Sequence, residues 1–473
     1  MPTTVVAHQP TGRRRAVDQH IVDRHIVDQP IVNQQGVRPM TPTGSERPAP
    51  ERRLVIVVRA DPVICGHSGE ARNLAEVALQ RGFDDVRIVT WPIPTLQAAG
   101  LPLKPLESVL PYSPGITVER PDPVGDYKVP DARYFSGMVG RLVELFTDGV
   151  PTVCMSLYLT PHATAVNDAR AIADATGLPM NLVTIAEAVG SDITNVVRTS
   201  VEEGLFGAAA QVFTTYLAND HCVAVSEYTK ELIVESAAMI DARHGTTFAA
   251  QCQRRVEISY PAIDSRRFTD VDHDGLPEVL ARRGLRRDGY VLFLSRVTKA
   301  KGVDDLIDGY AASHSADRMP LVIAGTGPEA EALRARAESS TAADRIMFFD
   351  DVDDDEKTFL MAGSAAYVLA SKPRPEFVET FGIALVEKML AGGGPVITTA
   401  TGGIPEAVGD HATIVPVGDP VSIAKALDDA ILRTSAEQRA ADADAARAHA
   451  MQFDRAHVFD ALFDRLDDRT AAA

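Results

Sequence analysis

Residues 374–406 read RPEFVETFGIALVEKMLAGGGPVITTATGGIPE. Glu379 and Glu387 stand on either side of Phe381-Gly382, and the apolar run from Ile383 predicts a helix that this glycine turn opens. Residues 395–398 then read as a strand, and Gly402-Gly403 as a second turn. A helix start carries backbone N–H groups with no intrahelical partner, and its dipole favours negative charge. That suits a diphosphate. An ionised carboxylate only accepts hydrogen bonds, so the two glutamates suit the hydroxyls of a sugar and a ribose. The segment predicts a site for a sugar joined to a nucleoside diphosphate.

Working outward, the apolar runs YVLFLS (290–295), LVIAG (321–325), IMFF (346–349), AYVLAS (366–371), PVITT (395–399) and ATIVPV (412–417) read as buried parallel strands. Helical segments such as Val303–Ala312 and Ala330–Glu338 separate them. An earlier series starts with LVIVVR (54–59), a glycine-containing loop at residues 65–69, a helix over 71–83 and a strand at 86–90, which is a βαβ unit. Residues 152–157, 181–185, 222–225 and 256–260 add further strands. The expected fold is α/β, with two doubly wound, Rossmann-like parallel-sheet domains. The expected divisions are a disordered tail over 1–52, a first domain over 53–265, a second over 266–450 and a terminal helix over 451–473. The hinge falls near residues 262–267. Proline-rich residues 91–131 read as one long loop region on the first domain.

The chain has 473 residues, enough for two ordinary domains. A net charge of −18 argues against a broad basic face for nucleic acid. No apolar run reaches the roughly 18–20 residues that span a bilayer. The polar, proline-rich N-terminus lacks a signal-peptide core, so the expected location is cytoplasmic. Met40 is an alternative start. Cys65, Cys154, Cys222 and Cys252 show no C-x-x-C spacing and read as free, mostly buried thiols. The acidic run FFDDVDDDEKTFL (348–360) reads as a capping box, with Asp353 capping a helix and Glu356 three residues later, rather than as a metal site. Ser226 reads as the N-cap of a further helix.

The E-x7-E spacing from Glu379 to Glu387, with Phe381-Gly382 inside it and Gly-Gly-Ile-Pro-Glu (402–406) after it, closely resembles the donor site of family-four (group 1) retaining glycosyltransferases of the GT-B fold. SRVTKAKGVDDLI (295–307) resembles the family's G-R-x4-K-G loop, with Ser295 in place of the usual glycine. The resemblance implies that the two domains face each other across a cleft, with the donor on the second and the acceptor on the first. It assigns Arg296 and Lys301 to the diphosphate and Glu379 to the donor sugar, these three being the catalytic set. Glu387 goes to the ribose. Phe381, Gly382, Ile383, Ala384 and Leu385 form the helix start that meets the diphosphate, and Gly325 and Gly327 of AGTGPEAEAL (324–333) lie near the nucleotide. Gly66, His67, Ser68 and Gly69 resemble the glycine loop on the acceptor side, joined there by His162. The chain departs from the family after NLVTIAEAVGSD (181–192), where a His is usual and Ala186 or Glu187 stands; Glu187 is kept as an acceptor-side candidate. In GT-B proteins the terminal helix crosses back to the first domain, and Phe453, Phe459, Leu462 and Phe463 here would supply its apolar face.

The reaction so implied moves a sugar from a nucleoside-diphosphate sugar to a small-molecule acceptor with retention. No cofactor and no metal are expected, because side chains and a helix end neutralise the leaving group. The expected partners are the nucleotide sugar, the acceptor and, as an option, a second copy in a homodimer. Two other readings stay open: an epimerase or pseudo-glycosyl coupling enzyme on the same fold, and a non-catalytic nucleotide-sugar binding protein.

Overall fold

The computed structural model describes residues 50–125, 128, 132–375 and 377–472. Nearly all of the expected tail therefore lies outside the described residues. Two parallel sheets organise the folded chain. The first contains β1 (Arg53–Val57), β2 (Asp85–Val89), β3 (Ile116–Glu119), β4 (Thr152–Leu157), β5 (Leu182–Ala188), β6 (His221–Ala224) and β7 (Val256–Ile258). Their order is β3-β2-β1-β4-β5-β6-β7. Strand β1 is apolar throughout after Arg53 because both of its faces are covered. Leu54, Ile56 and Val58 pack toward α1 (Gly66–Gln80) and the terminal helix Arg455–Ala472. Val55 and Val57 pack toward the helices Ala132–Thr147 and Thr164–Thr176. The strand order reverses between β1 and β4. A parallel sheet leaves a crevice outside the carboxyl ends of its strands at such a point.

The second sheet contains β8 (Val291–Leu294), β9 (Leu321–Ala324), β10 (Ile346–Phe349), β11 (Ala366–Leu369), β12 (Val396–Thr399) and β13 (Ala412–Val415). It is ordered β10-β9-β8-β11-β12-β13, with its reversal between β8 and β11. The loops after these two strands carry Arg296, Lys301 and Glu379.

Residues 91–131 are not one loop. They hold a short helix, Ile93–Ala98, and the edge strand β3, which pairs with β2 from Val86↔Ile116 to Val89↔Glu119. At four half-exposed residues, β3 lacks the apolar run that marks a central strand, and the surrounding prolines hide it.

The two domains meet at a crossed junction. Ile263 N–H donates to Phe453 O (3.0 Å) and Arg455 N–H to Ile263 O (2.8 Å). Phe453 stays in the second core, edge-on to Tyr260 and Phe381. Beyond it the terminal helix lays Val458, Phe459, Leu462, Phe463 and Leu466 into the first core, with both phenylalanines against Phe83. The cysteines are free thiols, three buried and Cys65 partly exposed. Among the described residues, no helix is long and apolar enough to cross a membrane.

Ser226 caps the helix Glu227–His244 by accepting from Thr229 N–H. Asp353 caps the helix Asp354–Gly363 through Asp355 and Glu356 N–H, but the reciprocal half of the box does not form. Glu356 instead takes a two-pronged pair from Arg283 (2.6 and 2.7 Å), since a forked guanidinium binds a carboxylate better than one exposed amide.

Candidate functional site

The donor side is built at the carboxyl ends of β8 and β11. Lys301 closes a short turn and is buried. Gly302 follows it at φ +65°, where an added Cβ would lie 1.8 Å from Ala370 O, so only glycine lets this turn press on the end of β11. Lys301 Nζ forms an ion pair with Glu379 and stands 5.2 Å from the centre of the Phe377 ring. Glu379 is fixed through its backbone: its carbonyl accepts from Gly403 N–H at 2.9 Å, and a Cβ on Gly402 would meet that oxygen at 2.0 Å. The cation expected at the diphosphate and the carboxylate expected at the sugar thus share one location. Glu387 is not free either. It pairs with Lys357 at 2.6 Å, a residue that the spacing did not single out.

Arg296 is exposed, and its charge is felt by Cys65 of the first domain, which places it on the cleft wall. Gly325 and Gly327 sit behind that wall. An added Cβ would meet Ser295 O and Val297 O, each at 2.1 Å. With no Cβ, both let this loop fold close.

The helix Ile383–Ala391 starts from Gly382 at φ +107°. Among the described residues, the N–H groups of Gly382, Ile383 and Ala384 have no partner, while Leu385 N–H donates back to Gly382 O at 2.9 Å. Leu385 is buried in the core and Phe381 in the aromatic cluster with Tyr260 and Phe453. These two are corrected from ligand contacts to packing residues.

On the first domain, Gly66, His67, Ser68 and Gly69 do not form a loop. They are the first turn of α1, with Cys65 at the N-cap. A Cβ on Gly66 would stand 3.1 Å from Ile383 Cδ1. Two helix starts, one from each domain, therefore face each other across the cleft, the second-domain one with the partnerless N–H groups just named. Further contacts hold the domains together. Ser226 Oγ donates to Thr380 O (2.7 Å), and Glu406 accepts from Glu227 N–H (2.7 Å) and Tyr228 N–H (2.9 Å). Glu406 therefore caps a first-domain helix from the second domain.

His162 is corrected. It is buried, its Nε2 receives Trp91 Nε1–H (3.3 Å), and its Nδ1 lies 2.8 Å from Leu157 O. This network assigns the neutral Nδ1–H tautomer and leaves no nitrogen for an acceptor. Burial pushes its pKa down to about 4. His67 lines the cleft instead, edge-on to Tyr158, and desolvation followed by the Arg59 charge lowers its pKa to about 4 as well.

Glu187 is also corrected. It is wholly buried in β5 and cannot touch an acceptor in this arrangement. It lies close to Glu70 on α1, and neither of its carboxyl oxygens has a hydrogen-bond partner among the described residues. Two buried carboxyls side by side resist ionising together, so one keeps its proton. Glu70 also accepts from Ala262 N–H (3.3 Å) at the hinge, and desolvation raises its pKa to about 7. Desolvation, then the Glu70 charge, raises Glu187 well above the usual carboxylate range. Neighbouring Asp192 accepts from Leu159 and Val189 N–H (3.2 Å each), and burial lifts its pKa to about 7. Glu70, Asp192 and Tyr158 were not legible as site residues, because nothing in their spacing marks them.

Residues 282–448 match the family model described as "Glycosyl transferases group 1". A D-inositol 3-phosphate glycosyltransferase of Salinispora tropica is 34% identical over 216 residues, covering 42% of this chain and 43% of that protein. A GDP-mannose-dependent alpha-(1-6)-phosphatidylinositol monomannoside mannosyltransferase of Mycobacterium tuberculosis is 31% identical over 155 residues, 32% of this chain and 40% of that protein. The chain thus spans under half the length of these curated relatives. Among solved structures, the Anabaena protein HepE, in complex with UDP and glucose, superposes with a TM-score of 0.61 at 16% identity, over 88% of this chain and 99% of that one. A glycosyltransferase from Rickettsia africae gives 0.61 at 14% identity, over 88% and 98%.

Proposed function

We propose, from the premise that this chain has the GT-B fold and that its second domain belongs to the group 1 glycosyl transferases, that the protein transfers a sugar from a nucleoside-diphosphate sugar to a small-molecule acceptor and retains the anomeric configuration. The observation that carries the reading is the Lys301–Glu379 ion pair, set in the same cleft as the facing starts of the Ile383 helix and α1. In this reading the diphosphate enters between the helix starts and draws Lys301 and Arg296 to its oxygens. Glu379, released from Lys301, accepts from sugar hydroxyls. Glu387 accepts from the ribose, with Lys357 fixing its carboxylate.

As the bond from C1 to the diphosphate oxygen breaks, negative charge grows on the leaving oxygen. Arg296, Lys301 once released from Glu379, and the N–H dipoles of the helix starts take up that charge. The acceptor hydroxyl attacks from the face the diphosphate leaves, and its proton goes to the departing phosphate. Closure of the Ser226–Thr380 and Glu406 contacts keeps water from capturing the sugar. Glu187 lies outside this reaction volume, so its replacement of the usual His gives the epimerase reading no support.

The test is turnover of UDP- and GDP-sugars across an acceptor panel. Lys301→Ala and Glu379→Ala should each abolish transfer while the variants keep the circular dichroism of the folded protein. Normal turnover in either variant sinks the assignment.

A further inference from the structure

The crevice between β1 and β4 holds a cation, Arg59. Arg59 lies just past the end of β1, half-buried, with no hydrogen bond or ion pair to its side chain among the described residues. The nearest acid in sequence, Asp61, is occupied: its Oδ2 accepts from Arg72 Nη2 (2.8 Å) and Tyr112 OH (2.9 Å). Arg59 rests 5.3 Å from the centre of the Tyr158 ring, the residue that directly follows β4. Tyr158 holds φ at +85°, a strained value for a residue with a Cβ, and Asp192 fixes that strain through the next amide, Leu159 N–H. Strain that the surroundings enforce at the end of a central strand marks a site under functional constraint. His67 completes the wall, its ring edge-on to Tyr158 at 6.0 Å. Both histidines near Arg59 are neutral, and the neighbouring Arg120 is spent on the carbonyls of Trp91 and Asp61, so Arg59 is the cation left without a hydrogen-bond partner here among the described residues.

We propose that Arg59 binds an anionic oxygen group, a phosphate ester or a carboxylate, carried by the acceptor, with Tyr158 as its stacking platform and His67 hydrogen-bonding to an adjacent hydroxyl. This deepens the transferase reading and rests on its placing the acceptor on the first domain. Three arguments support the assignment. A switch-point crevice is where an open parallel sheet takes its ligand. The Arg59 guanidinium lies over the Tyr158 ring without a hydrogen-bond partner among the described residues, so its N–H fork is available to a carboxylate or phosphate. The diphosphate already has Lys301, Arg296 and the helix starts, whereas Arg59 belongs to the Tyr158–His67 corner of the first domain.

The test titrates the full chain calorimetrically, as wild type and Arg59→Gln. The probes are inositol against D-inositol 3-phosphate, glucose against glucose 6-phosphate, glucose against glucuronate, and UDP and GDP alone. Wild type should bind the charged member of at least one pair roughly tenfold or more tighter than the neutral member, the size of one charge-assisted pair. The phosphate and glucuronate arms say which acid is preferred. Arg59→Gln should bring that ratio close to one and leave UDP and GDP binding within about twofold. Equal binding of charged and neutral probes, a ratio that survives the substitution, or a parallel loss of UDP and GDP affinity overturns the proposal. The last outcome would assign Arg59 to the donor. Arg59→Lys keeps the charge without the fork and should retain part of the preference. It supplies the same readout if the glutamine variant does not fold. Failure of the transferase reading appears separately, as absence of UDP and GDP binding in wild type.

Discussion

The buried carboxyl pair makes Glu187→Gln an informative perturbation. Burial beside Glu187 holds the Glu70 pKa at about 7, against 4.5 in a solvated glutamate. The folded state keeps a proton that the unfolded chain releases above about pH 4.5. Protons are therefore bound more tightly in the native state, and stability falls as pH rises. The contribution is complete below about pH 4.5 and gone above about pH 7. At ~1.4 kcal/mol per pH unit, the interval is worth about 3 kcal/mol. For a domain of this size that corresponds to roughly 6–12 °C in melting temperature. Glutamine at position 187 offers Glu70 an amide N–H that favours its charged form, so the penalty at high pH should vanish.

Other groups titrate in the same range. His67 and His162 act in the opposite direction: both are held neutral with pKa near 4, so their contribution is present above about pH 6.5 and is lost as pH falls toward 4. Asp192 follows the sign of Glu70. All three remain in the variant, so the difference curve isolates the pair. Scanning calorimetry from pH 5 to pH 8 should show the variant gaining on wild type steadily with pH. Parallel curves for the two proteins would refute the coupling of the two carboxyls.

Other perturbations test separate parts of the structure. Gly402→Ala places a methyl 2.0 Å from Glu379 O at a position with φ +60°, so it should displace Glu379 and cut transfer at least ~100-fold, measured as kcat/KM, with little change in circular dichroism. Phe459→Ala, in the crossing helix, should cost about 3–5 kcal/mol and lower the urea midpoint of the first domain. Arg53 is buried between Asp85 (2.6 Å) and Asp148 (2.7 Å); Arg53→Met leaves Asp85 to Arg87 and Asp148 to solvent, so about 1–3 kcal/mol should be lost in the same assay. Glu406→Gln weakens the cap that the second domain places on the Glu227 helix. Its effect should appear as a raised KM for the donor with the global melting temperature nearly unchanged.

How far the sequence could be read depended on the type of signal. The central strands were legible because burial on both faces demands unbroken apolar runs, as in Leu54–Val58 and residues 290–295. Helices Val303–Ala312 and Ala330–Glu338 follow from periodicity alone. The edge strand β3 escaped because half of its residues face solvent and its neighbours are prolines. Within the site, the cation and carboxylate motifs could be found because their spacing is local. The Lys301–Glu379 pairing, the Lys357 partner of Glu387 and the cap by Glu406 join residues far apart in the chain, and no spacing encodes them. The first turn of α1 was misread as a loop because Gly66 and Gly69 suggest a turn. Here the glycine at 66 serves close approach to Ile383 and not an unusual backbone angle. Phe381 and Leu385 show the reverse error, in which motif residues proved to be core. Arg59 has no motif around it that marks a site, and only the crevice beside Tyr158 gives its charge a purpose.

The central claim is that Arg296, Lys301 and the facing helix starts hold a diphosphate as it leaves. The most direct measurement is the affinity of UDP relative to uridine, and of GDP relative to guanosine, by titration calorimetry on wild type and the Arg296→Ala/Lys301→Ala double variant. The account predicts that at least one diphosphate binds wild type ~100-fold or more tighter than its nucleoside, and that the double variant loses most of this advantage while its binding of the nucleoside is unchanged. A diphosphate advantage of equal size in both proteins would contradict it.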